Sequence, residues 1–285
     1  IKAQNLRSAI NSSGSDGLFS AEGSQWRKDR KLISPFLNRK NVRDYVSFVK
    51  LISSRLVEKW EGTMSRDGFV SINSDLISAG IDIIGLVGFS KDIDSVRADN
   101  SIMGSDVKFI MQKVMMRALL PIPFWKIPLI GQYIDGLGWA RQRMISAICK
   151  IVEEQKEEIS EKETSKDVLA KLITQHQNEG SAMDSNRLIG NLLTFFFAGS
   201  ETTASTITSC LYALATDPTG LQDELAQECL SMPEIHTVED LLDSLPRLRS
   251  FLYETLRMLG PAPFMLLESI ESFEIEGVNI DAKTP

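Results

Sequence analysis

Apolar residues recur at helical spacing along most of this chain. The longest run, Leu188–Ala215, is apolar nearly all round, the pattern of a helix enclosed by other protein. Over residues 41–61, Val46, Val49, Ile52, Leu56 and Trp60 fall on one face. The same reading predicts helices over 24–36, 71–87, 101–118, 139–160, 165–178 and 217–231, the last opened by Asp217-Pro218. A further helix is opened by Ser244 and Pro246 and closed by Gly260-Pro261. The one predicted β element is a short hairpin at Ser272–Ile280, where Phe273, Ile275 and Val278 surround Glu276-Gly277. Between the helices, residues 120–138 carry Pro121, Pro123 and Pro128 around Phe124 and Trp125. No Gly/Ser linker, repeat or low-complexity tract divides the chain. The expected class is mainly α with minor β hairpin elements near the C-terminal end.

The long apolar helix has an unexpected centre, FFFAGSETTAS from Phe195 to Ser205. Gly199 in a helix interior costs about 1 kcal/mol against Ala, and a buried, unpaired Glu201 carboxylate costs several times more. A Thr202 hydroxyl bonded back to the Ala198 carbonyl is expected to open the helical ladder and leave a groove. Glu201 and Thr202 then form an acid–alcohol pair suited to relaying protons into a cavity that the upstream phenyl rings make apolar. The alternative is a helix packed through small residues, with Glu201 reaching solvent.

Two other motifs add chemistry. Glu254 and Arg257 stand three apart on one helix face and can pair. Phe251, Leu252, Leu256 and Leu259 crowd that helix and favour a buried, bidentate pair, against the common surface pair. Near the start, Trp26 and Arg30 stand four apart beside Arg27 and Lys31. They offer an indole donor and guanidinium forks to a bound carboxylate, or else form a basic surface helix.

Taken together and in this order, the three motifs resemble the cytochrome P-450 family of haem-thiolate monooxygenases. The resemblance covers essentially the whole chain and implies an incomplete form of that fold, as a single incomplete domain over residues 1–285. It implies that Trp26 and Arg30 hold a haem propionate, with Ala198 and Gly199 beside the cofactor. Glu201 and Thr202 would supply protons for oxygen activation. Phe195, Ala262, Pro263 and Phe264 would line the substrate pocket, and Glu254 with Arg257 would organise the core. It further implies a small apolar substrate, O2, and a reductase that brings electrons from NADPH. Residues 120–134 resemble a connection that often touches the membrane, which suggests the cytosolic face of the endoplasmic reticulum.

Departures from the family pattern set the remaining expectations. The family's axial Cys lies in a Gly-rich loop after the Glu-x-x-Arg helix, and no such loop precedes Pro285. Cys149, Cys210 and Cys229 lack the surroundings that lower a thiol pKa and present it to iron, so none is expected as the metal ligand. Ile1 is no initiator, so an internal fragment is expected, and a non-enzymatic truncated product stays as the alternative to an oxidoreductase. A basic residue common in the family falls by register on Leu267, with Glu268 next. At 43% hydrophobic residues the chain can bury a large core. A net charge of −7 without basic blocks excludes nucleic acid as the expected partner. Three scattered cysteines fit a reducing compartment, and His176 and His236 lie in polar stretches without metal-ligand spacing. Leu188–Ala215 is long enough to span a bilayer, but Glu201 near its centre would cost about 2.5–3.5 kcal/mol, so a buried helix is expected.

Overall fold

The computed structural model describes residues 4–34, 45–98, 102–120, 122–161, 185–232, 243–263, 267–282 and 284. The helix expected at 165–178, His176, His236 and Phe264 lie outside the described residues. The chain gathers into two compact units. One comprises Ile1–Ile33, Ile102–Phe197 and Phe264–Pro285, and the other Ser34–Ser101 and Ala198–Pro263. Their boundary falls inside the longest helix.

The first unit holds α1 (Gln4–Ser12) and α2 (Gly23–Ile33). After the second unit's first segment come α5 (Ile102–Leu119), α6 (Leu137–Glu161) and the first half of α7 (Ser185–Thr216). Helix α1, which the hydrophobic pattern did not reveal, packs on α5, and α5 packs on α6. Ile110, Met144, Ile148, Leu193 and Phe196 are buried in its core. Arg143 on α6 pairs with the buried Asp106 on α5. The proline-rich segment makes two short 3-10 turns, Phe124–Lys126 and Gly131–Tyr133. It is held from inside by Arg117, which is fully buried and donates to both Asp135 carboxylate oxygens at 2.9 and 2.6 Å. The same guanidinium lies 5.5 Å from the Phe124 and Trp125 ring centroids, and the Trp125 indole donates to Ser8 Oγ at 2.9 Å. The unit ends in the expected antiparallel hairpin, β1 (Phe273–Ile275) with β2 (Val278–Ile280).

The second unit holds α3 (Val46–Asp67), α4 (Ile72–Phe89), the rest of α7, α8 (Leu221–Leu230) and α9 (Pro246–Leu259). Helices α3 and α4 pack together. Ile52 and Leu56 are buried on the predicted face of α3, but Val49 at its start is exposed. The Trp60 indole donates to Asp75 across the pair at 2.9 Å. Among the described residues only α4 is long and apolar enough to cross a membrane, and half of it is buried in protein. It also carries a buried carboxylate: Asp82 accepts the backbone N–H groups of Ser95 and Val96 at 2.6 and 2.9 Å. Burial pushes the Asp82 carboxyl above its usual range, against the pull of those two bonds.

Two helix starts show how side chains complete the backbone. Asp217 does not begin α8 but closes the turn before it: its Oδ2 accepts from the N–H of Thr219 and of Leu221 at 2.9 and 3.1 Å, and the helix starts after Gly220 in a left-handed backbone. Glu228 on α8 accepts the first N–H groups of α9, those of Arg247 and Leu248, both at 2.9 Å. The N-terminal groups of α9, which no helical carbonyl reaches, are thereby satisfied by its neighbour.

Helix α7 is continuous over 32 residues, longer than the predicted run. Its burial is confined to the first part: Leu188, Leu192, Leu193, Phe196, Phe197, Ser200 and Ala204 are buried. Past Ala204 no residue of α7 is buried, contrary to the reading of a fully enclosed helix. The small residues at its centre admit α4. A Cβ on Gly199 would lie 2.5 Å from Ile84 Cδ1, and one on Gly80 would lie 2.7 Å from the Ser200 Cα. The cost of Gly199 is thus offset by a close helix crossing.

These two contacts differ in what must move. Gly80→Ala drives a methyl into backbone and is expected to destabilise the protein by about 1–3 kcal/mol. Gly199→Ala must turn the Ile84 side chain, whose Cδ1 and Cγ1 would lie 2.5 and 2.8 Å from the added carbon, and gains about 1 kcal/mol of helix propensity, so its loss should be smaller. Denaturant midpoints of the two variants measure the difference, and equal losses would contradict this account.

Candidate functional site

The centre of α7 contains the predicted back-bond: the Thr202 hydroxyl donates to the Ala198 carbonyl at 2.6 Å. It does not open the helix, which runs on without a break. Thr194, Thr206 and Thr208 make the same bond to the carbonyls four residues before them, so the habit belongs to the whole helix. What distinguishes Thr202 is its setting. Ala198 and Thr202 share an exposed stripe at i, i+4, while Ser200 and Ala204 face the protein. The expected dry groove is therefore an open face in this chain. Glu201 is half-buried, with its Oε2 shielded from solvent. Phe195, one turn before Ala198, is also half-buried.

Helix α2 presents the second group. The Arg30 guanidinium lies 5.4 Å from the Trp26 ring centroid, and both side chains are exposed. Arg27, Lys28 and Lys31 are exposed on the same short helix. An indole N–H and a guanidinium fork side by side on one flank match the needs of a carboxylate-bearing ligand. The donor set therefore fits the propionate end of a haem.

Sequence reading missed what holds α2. Asp29 is 1% exposed; it accepts the Gln25 amide at 2.9 Å and pairs with Arg187 from the first turn of α7. One turn on, Asn191, also 1% exposed, accepts the Leu18 N–H at 2.6 Å. Gly17 and Gly190 permit that approach: a Cβ on either would sit 2.5 Å from Asn191 Oδ1 or from the Asp16 carbonyl oxygen. The available signal was Asp29 itself, the one acid in a basic helix.

The Glu254–Arg257 pair forms as predicted and is bidentate, with Nε and Nη2 donating at 2.9 and 2.6 Å. Its predicted burial is not found: the side chains are 61% and 66% exposed. The reason is the orientation of α9, which buries only Thr255 and leaves Leu252, Leu256 and Leu259 open alongside the pair. Ala262 and Pro263, beyond this helix, are exposed. Leu267 is exposed too, and Glu268 accepts the Gln4 N–H at 2.9 Å. Cys149, Cys210 and Cys229 lie in regular helix on α6, α7 and α8. No group of three or more potential metal ligands occurs among the described residues.

The Arg257 hydrogen bonds hold the Glu254 carboxyl below its usual 4.5. A lowered carboxylate stabilises above its unfolded value, and that contribution is lost as pH falls through the folded one. For an exposed pair the contribution is small and screened. In the 285-residue chain, Arg257→Ala should shift the denaturation midpoint only slightly, and less still at high salt or once pH has fallen below the ordinary carboxylate range. A large, salt-insensitive loss would show that the pair is shielded after all.

Comparison with known proteins bears on all three motifs. The cytochrome P450 family model matches residues 2–285. Protein LUTEIN DEFICIENT 5, chloroplastic, of Arabidopsis thaliana is 26% identical over 272 residues, covering 90% of this chain and 44% of its own. Cytochrome P450 monooxygenase 205 of Postia placenta is 28% identical over 278 residues, covering 87% and 50%. A bifunctional cytochrome P450/NADPH–P450 reductase of Bacillus cereus is 24% identical over 275 residues, covering 92% and 24%. The chain thus spans about half or less of these relatives' length. A crystal structure of a cytochrome P450, CYP102L1, superposes with a TM-score of 0.70 at 22% identity, covering 88% of this chain and 57% of that one. It shares the fold. With a match that runs from Lys2 to Pro285 and takes in Trp26–Arg30, the centre of α7 and the α9 pair, the chain belongs to the cytochrome P450 family.

Proposed function

We propose that the complete protein is a haem-dependent monooxygenase, inserting one oxygen atom from O2 into an apolar organic substrate. The observation that carries this reading is the open Trp26–Arg30 face, a carboxylate receptor in a chain whose family cofactor is haem. Haem, when bound, supplies the redox centre at which O2 is reduced. Electrons come from a reductase, a reading supported by the relative that joins both activities in one chain. The test is the complete protein's reduced, carbon-monoxide-bound spectrum: a haem-thiolate signature supports the reading, and its absence from a haem-loaded protein overturns it.

In this reading each residue has a plain task. Trp26 and Arg30 bind and orient the propionates. Phe195, Ala198 and Gly199 keep one wall apolar and low, while Ala262, Pro263 and Phe264 line the pocket and exclude water. Thr202 holds its own proton on the Ala198 carbonyl and leaves its oxygen lone pairs turned to the open stripe, where they accept from water or substrate. Glu201, next in sequence and half-buried, is the carboxylate that takes up and returns protons. Glu254 and Arg257 organise the core of the complete domain, where the open apolar side chains of α9 would be covered. Removing either partner should then cost haem loading in the complete protein.

The proline-rich segment supports a membrane contact. Ile122, Leu129, Ile130, Ile134 and Trp139 are exposed, Leu129 by 89%, on a segment pinned from beneath by Arg117 and Trp125. Leu129 adopts a left-handed backbone with φ of 68°, which few side chains tolerate without reward. Such an apolar patch suits insertion into a lipid headgroup region. The patch supports a membrane surface and does not select the endoplasmic reticulum, since a relative from Arabidopsis thaliana is named chloroplastic.

Two outcomes follow. Thr202→Ala in the complete enzyme should keep haem but raise peroxide released per NADPH consumed while product falls, and unchanged coupling would return Thr202 to helix packing. Leu129→Asp with Ile130→Asp should weaken partitioning onto phosphatidylcholine vesicles by about a hundredfold or more, roughly the loss of two buried apolar side chains. Undiminished binding would place the contact elsewhere.

A further inference from the structure

We propose that Arg187 is a positioning residue for the propionate-binding face of α2, acting through its ion pair with Asp29. The proposal rests on the haem reading above and deepens it. Asp29 is the only acid of α2 and is 1% exposed, so its charge must be partnered where it lies. Both oxygens are engaged: Oδ1 by the Gln25 amide at 2.9 Å, and Oδ2 by Arg187 Nη2. The Arg187 side chain is itself 19% exposed, and its Nη1 lies 3.6 Å from Asp16 Oδ1.

Helix geometry makes this pair a rotational stop. At about 100° per residue, Trp26 stands about 60° and Arg30 about 100° round the axis from Asp29, on the same side. With Asp29 held inward, the indole and guanidinium stand together on one flank of the helix, at the edge of its buried face, where both are exposed. The loop entering α2 is held by the same helix: Asn191, one turn after Arg187, takes the Leu18 N–H at 2.6 Å. A rotation of α2 would have to break the Asp29 pair and move against this second anchor. Arg187 therefore acts on the propionates without touching them.

The test uses the complete haem-loaded protein and two readouts other than turnover: haem transfer to apomyoglobin, and the propionate bending band in the resonance Raman spectrum. Arg187→Gln should speed haem loss by about tenfold, comparable to losing one charge-assisted hydrogen bond. It should move the propionate band in the direction that Arg30→Gln moves it. In an Arg30→Gln background, Arg187→Gln should add nothing to haem loss, because it acts through Arg30. A fall in denaturant stability with haem loss and band unchanged would make Arg187 a structural tie only, and additive effects would equally overturn the proposal. If Arg30→Gln leaves both readouts at wild-type values, the propionate reading itself fails and the inference falls with it. Should Arg187→Gln not fold, Arg187→Lys keeps the charge and loses the fork. Wild-type haem loss and band position in that variant would then overturn the proposal.

Discussion

Close backbone approach to α7 is the constraint on which much of this structure depends. In one unit, Gly17 and Gly190 let the loop before α2 lie directly on the first turns of α7. In the other, Gly80 lets α4 meet the backbone at Ser200, and Gly199 leaves room for Ile84. Contacts of this kind exclude water and fill space at native packing density, so a single added methyl must displace something. They also fix register. Once Asn191 accepts the Leu18 N–H and Arg187 donates to Asp29, the rotation of α2 and the exposure of Trp26 and Arg30 are set together.

Charge burial follows the same logic. Asp29, Asp106, Asp82 and Arg117 are all shielded, and each is matched by a guanidinium, a carboxylate or backbone N–H groups. Such pairs contribute little net stability compared with well-packed apolar residues, but removing one partner leaves a stranded charge. They serve here to tie loops to neighbouring helices: the loop after α4 to Asp82, and the proline-rich segment to α5 through Arg117. The exposed Glu254–Arg257 pair is the contrast, with ideal geometry and almost no shielding.

The residues proposed for function lie on what the packing leaves open. The Trp26–Arg30 face, the Ala198–Thr202 stripe and the apolar tip at Leu129–Ile130 are all exposed, each on an element anchored by buried contacts on its other side. A rigid back and an open front is the arrangement that lets a side chain meet a ligand without paying again for its own ordering. It is consistent with membership of a haem-binding family and with the roles proposed for these residues.

The sequence alone determined the mainly helical class, the C-terminal hairpin, and the residues that pair within one helix, because those depend on short-range periodicity. Thr202 with Ala198 and Glu254 with Arg257 are each one turn apart, and both expected contacts form. Helix α1 escaped notice because nine residues hold too little pattern, and Asp217 was misjudged because turn and helix-starting residues look alike in sequence. Only the tertiary structure decided which faces were buried. Apolar neighbours predicted shelter for Glu254 and Arg257, yet α9 turns them outward, and the same is true of Val49 and of α7 beyond Ala204. Burial is a property of what packs against a face, which no local pattern encodes. The Arg187–Asp29 pair, 158 residues apart, is the clearest case: each partner is visible in the sequence, and only the fold brings them together.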